Sequence, residues 1–96
     1  MVRVPPEVHA FAAESGVAPY LPAVLELTPR VFPTARRFTV LVEDDPEIAN
    51  DRHIALEVEP PTTSVPELFA GRQQWVTEIF RHCPSTHAWV FRLGMA

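Results

Sequence analysis

Lysine is absent from this 96-residue chain, and all eight of its basic residues are Arg. That absence removes Schiff-base nucleophiles, P-loop lysines and lysine general bases from consideration. Glycine is scarce too. The three glycines, Gly16, Gly71 and Gly94, are far apart and form no phosphate-cradling loop. The single cysteine, Cys83, cannot make an internal disulfide, so the fold is expected to hold without one, in a reducing cytoplasm. No apolar run approaches the roughly 20 residues that span a bilayer. The opening MVRVPPEVHA has no apolar signal-peptide core. Neither a membrane nor an exported setting is expected.

Basic clusters are also missing. The net charge is −4, and the densest basic residues are Arg30, Arg36 and Arg37. Proteins that neutralise phosphates carry a larger cationic footprint, so nucleic acid is not an expected partner.

What is present is ordinary for a small globular chain: 47% hydrophobic and 21% charged residues. This length suits one small α+β domain over residues 1–96, with one hydrophobic core. Eleven Ala, eleven Pro and twelve Val, with Arg at every basic position, read as the codon bias of a GC-rich bacterial genome.

Residues 5–15 read as a helix with Val8, Phe11 and Ala12 on one face, stopped at Ser15-Gly16. A second helix opens near Ala18. Leu21, Leu25, Thr28 and Phe32 mark one stripe and Tyr20, Val24, Leu27 and Val31 another, so it is buried on more than one side. Pro29 is expected to kink or end it, and Pro33 to stop it.

Two segments of period two follow. Phe38, Val40 and Val42 alternate with Arg37, Thr39, Leu41 and Glu43. Ile54, Leu56 and Val58 alternate with His53, Ala55, Glu57 and Glu59. These are half-buried strands joined as an antiparallel hairpin through Asp44–Arg52. Pairing residues whose numbers sum to 96 sets Glu43 opposite His53, Thr39 opposite Glu57 and Arg37 opposite Glu59, as polar pairs on a solvated face. Pro60 and Pro61 close the second strand.

Ser64-Val65-Pro66-Glu67 is a capping box. The helix it opens groups Val65, Leu68, Phe69, Val76, Ile79, Phe80 and Cys83 on a broad apolar face and ends before Pro84. Thr86–Leu93 reads as a third strand with Trp89, Phe91 and Leu93 facing the core. The order α-α-β-β-α-β predicts a two-layer sandwich with the helices on one face of a three-stranded, mainly antiparallel sheet. A crossover through the long helix makes the third strand parallel to the second. The expected strand order is 2-1-3, with the third strand beside the second as the alternative.

Chemistry is expected at one end of this sheet, where Glu43, Asp44, Asp45, Glu47, Asp51, His53, His82, Cys83 and His87 would gather. His82, Cys83, His87 and His53 are ligand types that suit zinc, but the paired spacing of a zinc site is missing, and no metal or cofactor is expected. Cys83 at a helix C-terminus is badly placed for thiolate formation. Its ordinary role is a small core hydrophobe, with His82 complementing the helix dipole and His87 beginning a strand. The loop VEDDPEIANDRH has the oxygen donors of a hard-cation site but not the glycine or register of a calcium loop. Asp44-Asp45-Pro46 is turn chemistry.

The loop is long for a hairpin and holds five acids from Glu43 to Asp51. The outer sheet face adds Leu41, Ala55, Ala88 and Val90, bordered by Arg37, Glu57 and Arg92. An apolar strip with a polar rim is the form of an interface. The expected function is a non-enzymatic protein-interaction module of antitoxin, immunity or adaptor type. It would bind a protein partner or itself as a homodimer, through Asp44, Asp45, Glu47, Asp51, Leu41, Ala55, Val90, Arg37 and Arg92. The alternative is a small metal-dependent or Cys-His hydrolase using His53, Cys83, His87 and Glu43. A further expectation is that Glu43 beside His53, together with His82, makes self-association vary with pH.

Overall fold

A computed structural model of the chain describes residues 3–33, 35–59 and 64–95, with Val65 and Met95 described by main chain alone. Among these, four helices and three strands follow in the order α1 (Pro6–Glu14), α2 (Leu21–Val31), β1 (Arg37–Asp44), β2 (Arg52–Glu59), α3 (Val65–His82), α4 (Ser85–Ala88) and β3 (Phe91–Met95). The class is α+β with a mixed three-stranded sheet.

Helix α1 starts with Pro6 at its first position, where a missing N–H costs nothing. It buries Val8 and Ala12. The chain leaves it through Gly16, whose φ of 78° lies in the left-handed region that glycine enters without strain. The N–H groups of Val17 and Ala18 then both bond to the carbonyl of Ala12, and buried Val17 locks the turn into the core. Helix α2 begins at Leu21, later than the expected Ala18. It continues through Pro29 to Val31. Pro29 lies so close to the C-terminus that little helix remains to be disrupted. The helix buries Leu21, Val24, Leu27 and Thr28, drawn from both predicted stripes.

Strands β1 and β2 pair antiparallel in the predicted register, with Glu43 opposite His53, Leu41 opposite Ala55 and Arg37 opposite Glu59. Pro60 and Pro61, read as the close of β2, lie outside the described residues; the strand is assigned to Glu59.

The third strand differs from expectation in two ways. It runs parallel to β2 as expected, but it takes the alternative place directly beside it, Ile54 opposite Phe91 and Leu56 opposite Leu93, so the order is 1-2-3 and not the preferred 2-1-3. The sheet is therefore half parallel, not mainly antiparallel. The composition of β2 carries the reason: its outward positions include His53 and Ala55, and residues His53 to Leu56 are all buried. A strand buried on both faces belongs at the centre of a sheet. Second, β3 begins at Phe91, not Thr86. Pro84 acts as an N-cap, and the N–H groups of His87 and Ala88 both bond to its carbonyl, so Ser85–Ala88 coils into the short helix α4. His87 consequently lies on a helix. Ala88, expected on the outer sheet face, is buried in the core.

One core cluster joins Val40, Ile54, Leu56, Val58, Phe91 and Leu93 of the sheet to Val8 and Ala12 of α1, Leu21, Val24 and Leu27 of α2, and Trp75, Ile79 and Cys83 of α3. A buried polar relay links two of the helices. The Trp75 indole N–H donates to Thr28 Oγ1 at 3.0 Å, and that hydroxyl donates to the Val24 carbonyl at 2.9 Å. Thr28 thus adds no unsatisfied group to the interior. Helix α3 also comes close to α2 at Gly71, where a Cβ would lie 2.6 Å from the ring of Phe32.

Candidate functional site

The sheet end predicted to hold the chemistry is assembled by β-pairing. Glu43 and His53 are cross-strand partners, and His53 Nε2 lies 3.4 Å from Glu43 Oε1. His53 is only 5% exposed. Its Nδ1 is buried and, among the described residues, meets no hydrogen-bond partner.

The hairpin loop is held from three sides. Arg92 of β3 donates Nη1–H to Asp51 Oδ2 at 2.8 Å and Nη2–H to Asp51 Oδ1 at 2.7 Å. Arg52 donates Nε–H to Asp44 Oδ1 at 2.9 Å. The Glu47 N–H donates to Asp45 Oδ1 at 2.8 Å, a side-chain turn of the kind Asp favours. Asn50 takes a φ of 62°, which an Asn tolerates. Hydrogen bonds from Arg92 and Arg52 hold the carboxyls of Asp51 and Asp44 below the usual carboxylate range. Both guanidinium groups are correspondingly raised. Of the five acids, Asp44 and Asp51 are already spent on arginines of the same chain, so the loop presents less free charge than the sequence suggests.

An open cavity of about 520 Å³ lies beside β3. Glu43, Asp45, His53 and Glu57 line its sheet side, and Arg72 and Val76 of α3 its other wall. Next to it stands the largest departure from the sequence reading. Trp89, expected in the core, is 70% exposed, and Phe69 (62%), Phe80 (46%) and Val76 (38%) are also open on α3. Phe80 and Trp89 meet edge to face with ring centroids 6.3 Å apart. The face of α3 that enters the core is Trp75 and Ile79, continued by Cys83 just past its end. Trp75 had a sequence signal that the broad-face reading passed over: it stands four residues before Ile79 and eight before Cys83, on one helical stripe.

The remaining predicted residues do not converge. Cys83 is a buried free thiol, and burial pushes its pKa up. His87 stacks near Tyr20, with ring centroids 5.9 Å apart, and Nδ1 is 3.1 Å from Thr86 Oγ1. His82 donates Nδ1–H to the Glu78 carbonyl at 2.9 Å, at the end of α3. That is the helix-terminal position expected of it. Among the described residues no group of three or more His, Cys, Asp or Glu is placed to hold a metal ion. Cys83 lies in the core, while the His87 ring lies near Tyr20 and Gly16 of the α1–α2 turn. On the outer sheet face Leu41 is half-buried and Ala55 buried. Val90 is half-buried just before β3 and packs against the core cluster. Arg37 stands at the far end beside Glu59, 3.9 Å away. No described helix is long and apolar enough to cross a membrane.

Comparison with protein-family models, with curated proteins and with solved structures finds no match to this chain.

Proposed function

We propose that this chain is a non-enzymatic protein-interaction module that associates with itself or with a protein partner, as a bacterial adaptor, immunity or antitoxin protein does. The observation that carries the reading is the exposed apolar array of Phe69, Val76, Phe80 and Trp89. Two of these four are solvent-facing aromatics on one helix, and Trp89 adds a third beside Phe80. Such residues anchor interfaces and cost stability or solubility when left bare. The array borders the acid-lined cavity, so apolar anchors and a charged rim are adjacent, as in the core and rim of an interface.

In this reading the contact surface runs along α3, Trp89 and β3, with Asp45 and the Asp51–Arg92 pair at its border, while Glu47 lies in a recess beside Phe11 and Glu14 of α1. Ala55 is buried and Leu41 half-buried, so they add little to it. The reading takes all helices to lie on the sheet face that carries Val40, Ile54 and Leu56, in keeping with the single core that joins them.

The test compares the wild type with the variant Phe80→Ser/Trp89→Ser by velocity sedimentation and by affinity capture. The wild type should form a defined oligomer or retain a protein in stoichiometric amount, and the variant should do neither while keeping the far-UV circular dichroism spectrum of the folded chain. A wild type that stays monomeric and retains nothing the variant does not would end this reading.

A further inference from the structure

We infer that the partner is a second copy of this chain, joined through the free edge of β3, with the two sheets merging and the exposed stripes of the two α3 helices meeting beside the seam. The inference rests on the interaction reading above and supplies its partner.

The sheet ends at β3: among the described residues no strand pairs with its far side. The Ile54 N–H bonds to the Val90 carbonyl at 2.7 Å, and a parallel ladder then alternates. Val90, Arg92 and Gly94 turn their main-chain groups toward β2, whereas Phe91 and Leu93 turn theirs outward. Phe91 and Leu93 have core side chains, yet both line the 520 Å³ cavity. By the alternation of the ladder, the outward main-chain groups of Phe91 and Leu93 lie on that free edge. An unpaired strand edge is a template for another strand.

Charge complementarity selects a copy of the same chain. Gly94 has no side chain, and Glu57 of β2 lies across it: a Cβ on Gly94 would be 3.4 Å from Glu57 Cγ. The Glu57 side chain therefore leans over Gly94 of the edge strand, and among the described residues it has no hydrogen-bond or ion-pair partner. Two β3 strands pairing antiparallel about a two-fold axis at Leu93 form hydrogen-bonded pairs at Leu93 with Leu93 and at Phe91 with Met95. The same register sets Arg92 directly opposite Gly94 of the other copy, on the same sheet face, with Cα atoms about 4.5 Å apart in such a pair. Arg92 already holds Asp51 and would meet the second copy's Glu57 across Gly94. The contact occurs twice, as an isologous interface requires. On the helix side, Val76 lines the cavity at the same edge. Phe69 and Phe80, seven residues before and four after it, extend the same stripe, which the second copy's stripe would cover.

Amide hydrogen exchange, read by residue over a concentration series of the wild-type protein, tests this. Arg92 and Gly94 amides should be protected at every concentration, and Phe91 and Leu93 amides should gain at least tenfold protection as the sedimenting species becomes a dimer. Glu57→Arg, which sets like charges across the seam, should weaken dimerisation at least tenfold, and Glu57→Gln less. A wild type that is monomeric at its highest workable concentration overturns the inference, leaving the module to a different partner. A dimer whose Phe91 and Leu93 amides stay unprotected overturns the edge geometry while the interaction reading survives. A protected dimer indifferent to Glu57→Arg overturns the Leu93-centred register.

Discussion

Arg92 and Asp51 form a two-point ion pair at 2.7 and 2.8 Å that ties the last strand to the hairpin loop, 41 residues apart in the chain. The Asp51 side chain is only 19% exposed. The geometry is the parallel fork that arginine makes with a carboxylate, and it anchors the loop beside β3.

The Arg92 hydrogen bonds hold the Asp51 carboxyl below its ordinary value of 3.8. A carboxylate with a lowered folded-state pKa stabilises the fold above its unfolded pKa and loses that contribution as pH falls through the folded value. Urea unfolding of the wild type should therefore weaken as pH drops from about 5 toward 2. In Asp51→Asn that slope should be shallower and the stability at neutral pH lower. Equal slopes for the two proteins would contradict the pairing. Asp44→Asn, whose partner Arg52 is exposed on the same loop, should leave the melting temperature nearly unchanged, because exposed pairs contribute little.

Trp75→Phe removes the indole N–H that reaches buried Thr28. The hydroxyl of Thr28 keeps its bond to Val24 but loses its donor, and ring volume is lost from the core. Together these should cost about 2–4 kcal/mol in chemical denaturation. Trp89→Phe, on the surface, should change stability by less than about 0.5 kcal/mol. If the two substitutions cost the same, the assignment of Trp75 to the core and Trp89 to the surface is wrong.

The contrast between these two tryptophans also marks where sequence pattern was sufficient. The hairpin register followed from alternation alone, since a slip of one residue between Phe38–Val42 and Ile54–Val58 would have exposed every apolar side chain. The capping sequence placed the start of α3 correctly. The strand order did not follow, because topology depends on which strand buries its outer face, and only Ala55 and His53 carry that signal. Trp89 was read as a strand residue by extending the period of Phe91 and Leu93 backward. Pro84, however, had already turned Ser85–Ala88 into helix. Of the site, the Glu43–His53 neighbourhood was legible as a register pair. Arg92–Asp51 was not, since it depends on β3 lying beside β2.

Gly71→Ala sets two effects of opposite sign against each other. Alanine favours the interior of α3 by about 1 kcal/mol over glycine. The added methyl, however, meets the Phe32 ring at 2.6 Å, and overpacking of that kind costs about 1–3 kcal/mol. The net should be a loss, measurable by urea unfolding. In a Phe32→Leu background the same change should be neutral or stabilising. A stabilising effect in the wild-type background would mean the ring moves aside at no cost.

Cys83 should behave as a core thiol. Buried and raised in pKa, it should react with a disulfide reagent only as fast as the chain opens, and in urea the rate should rise with the unfolded fraction. Rapid stoichiometric labelling of the folded protein would contradict its place beside Ile79 and Trp75.

Closure of the surface formed by α3, Trp89 and the edge of β3 on a second copy would bury the indole of Trp89. Acrylamide quenching of tryptophan fluorescence across a protein concentration series tests it most directly, because Trp75 is already shielded and only Trp89 has access to lose. The quenching constant should fall as concentration rises, toward the value of a chain with both indoles covered. A quenching constant that stays at its dilute value up to the highest attainable concentration would contradict it.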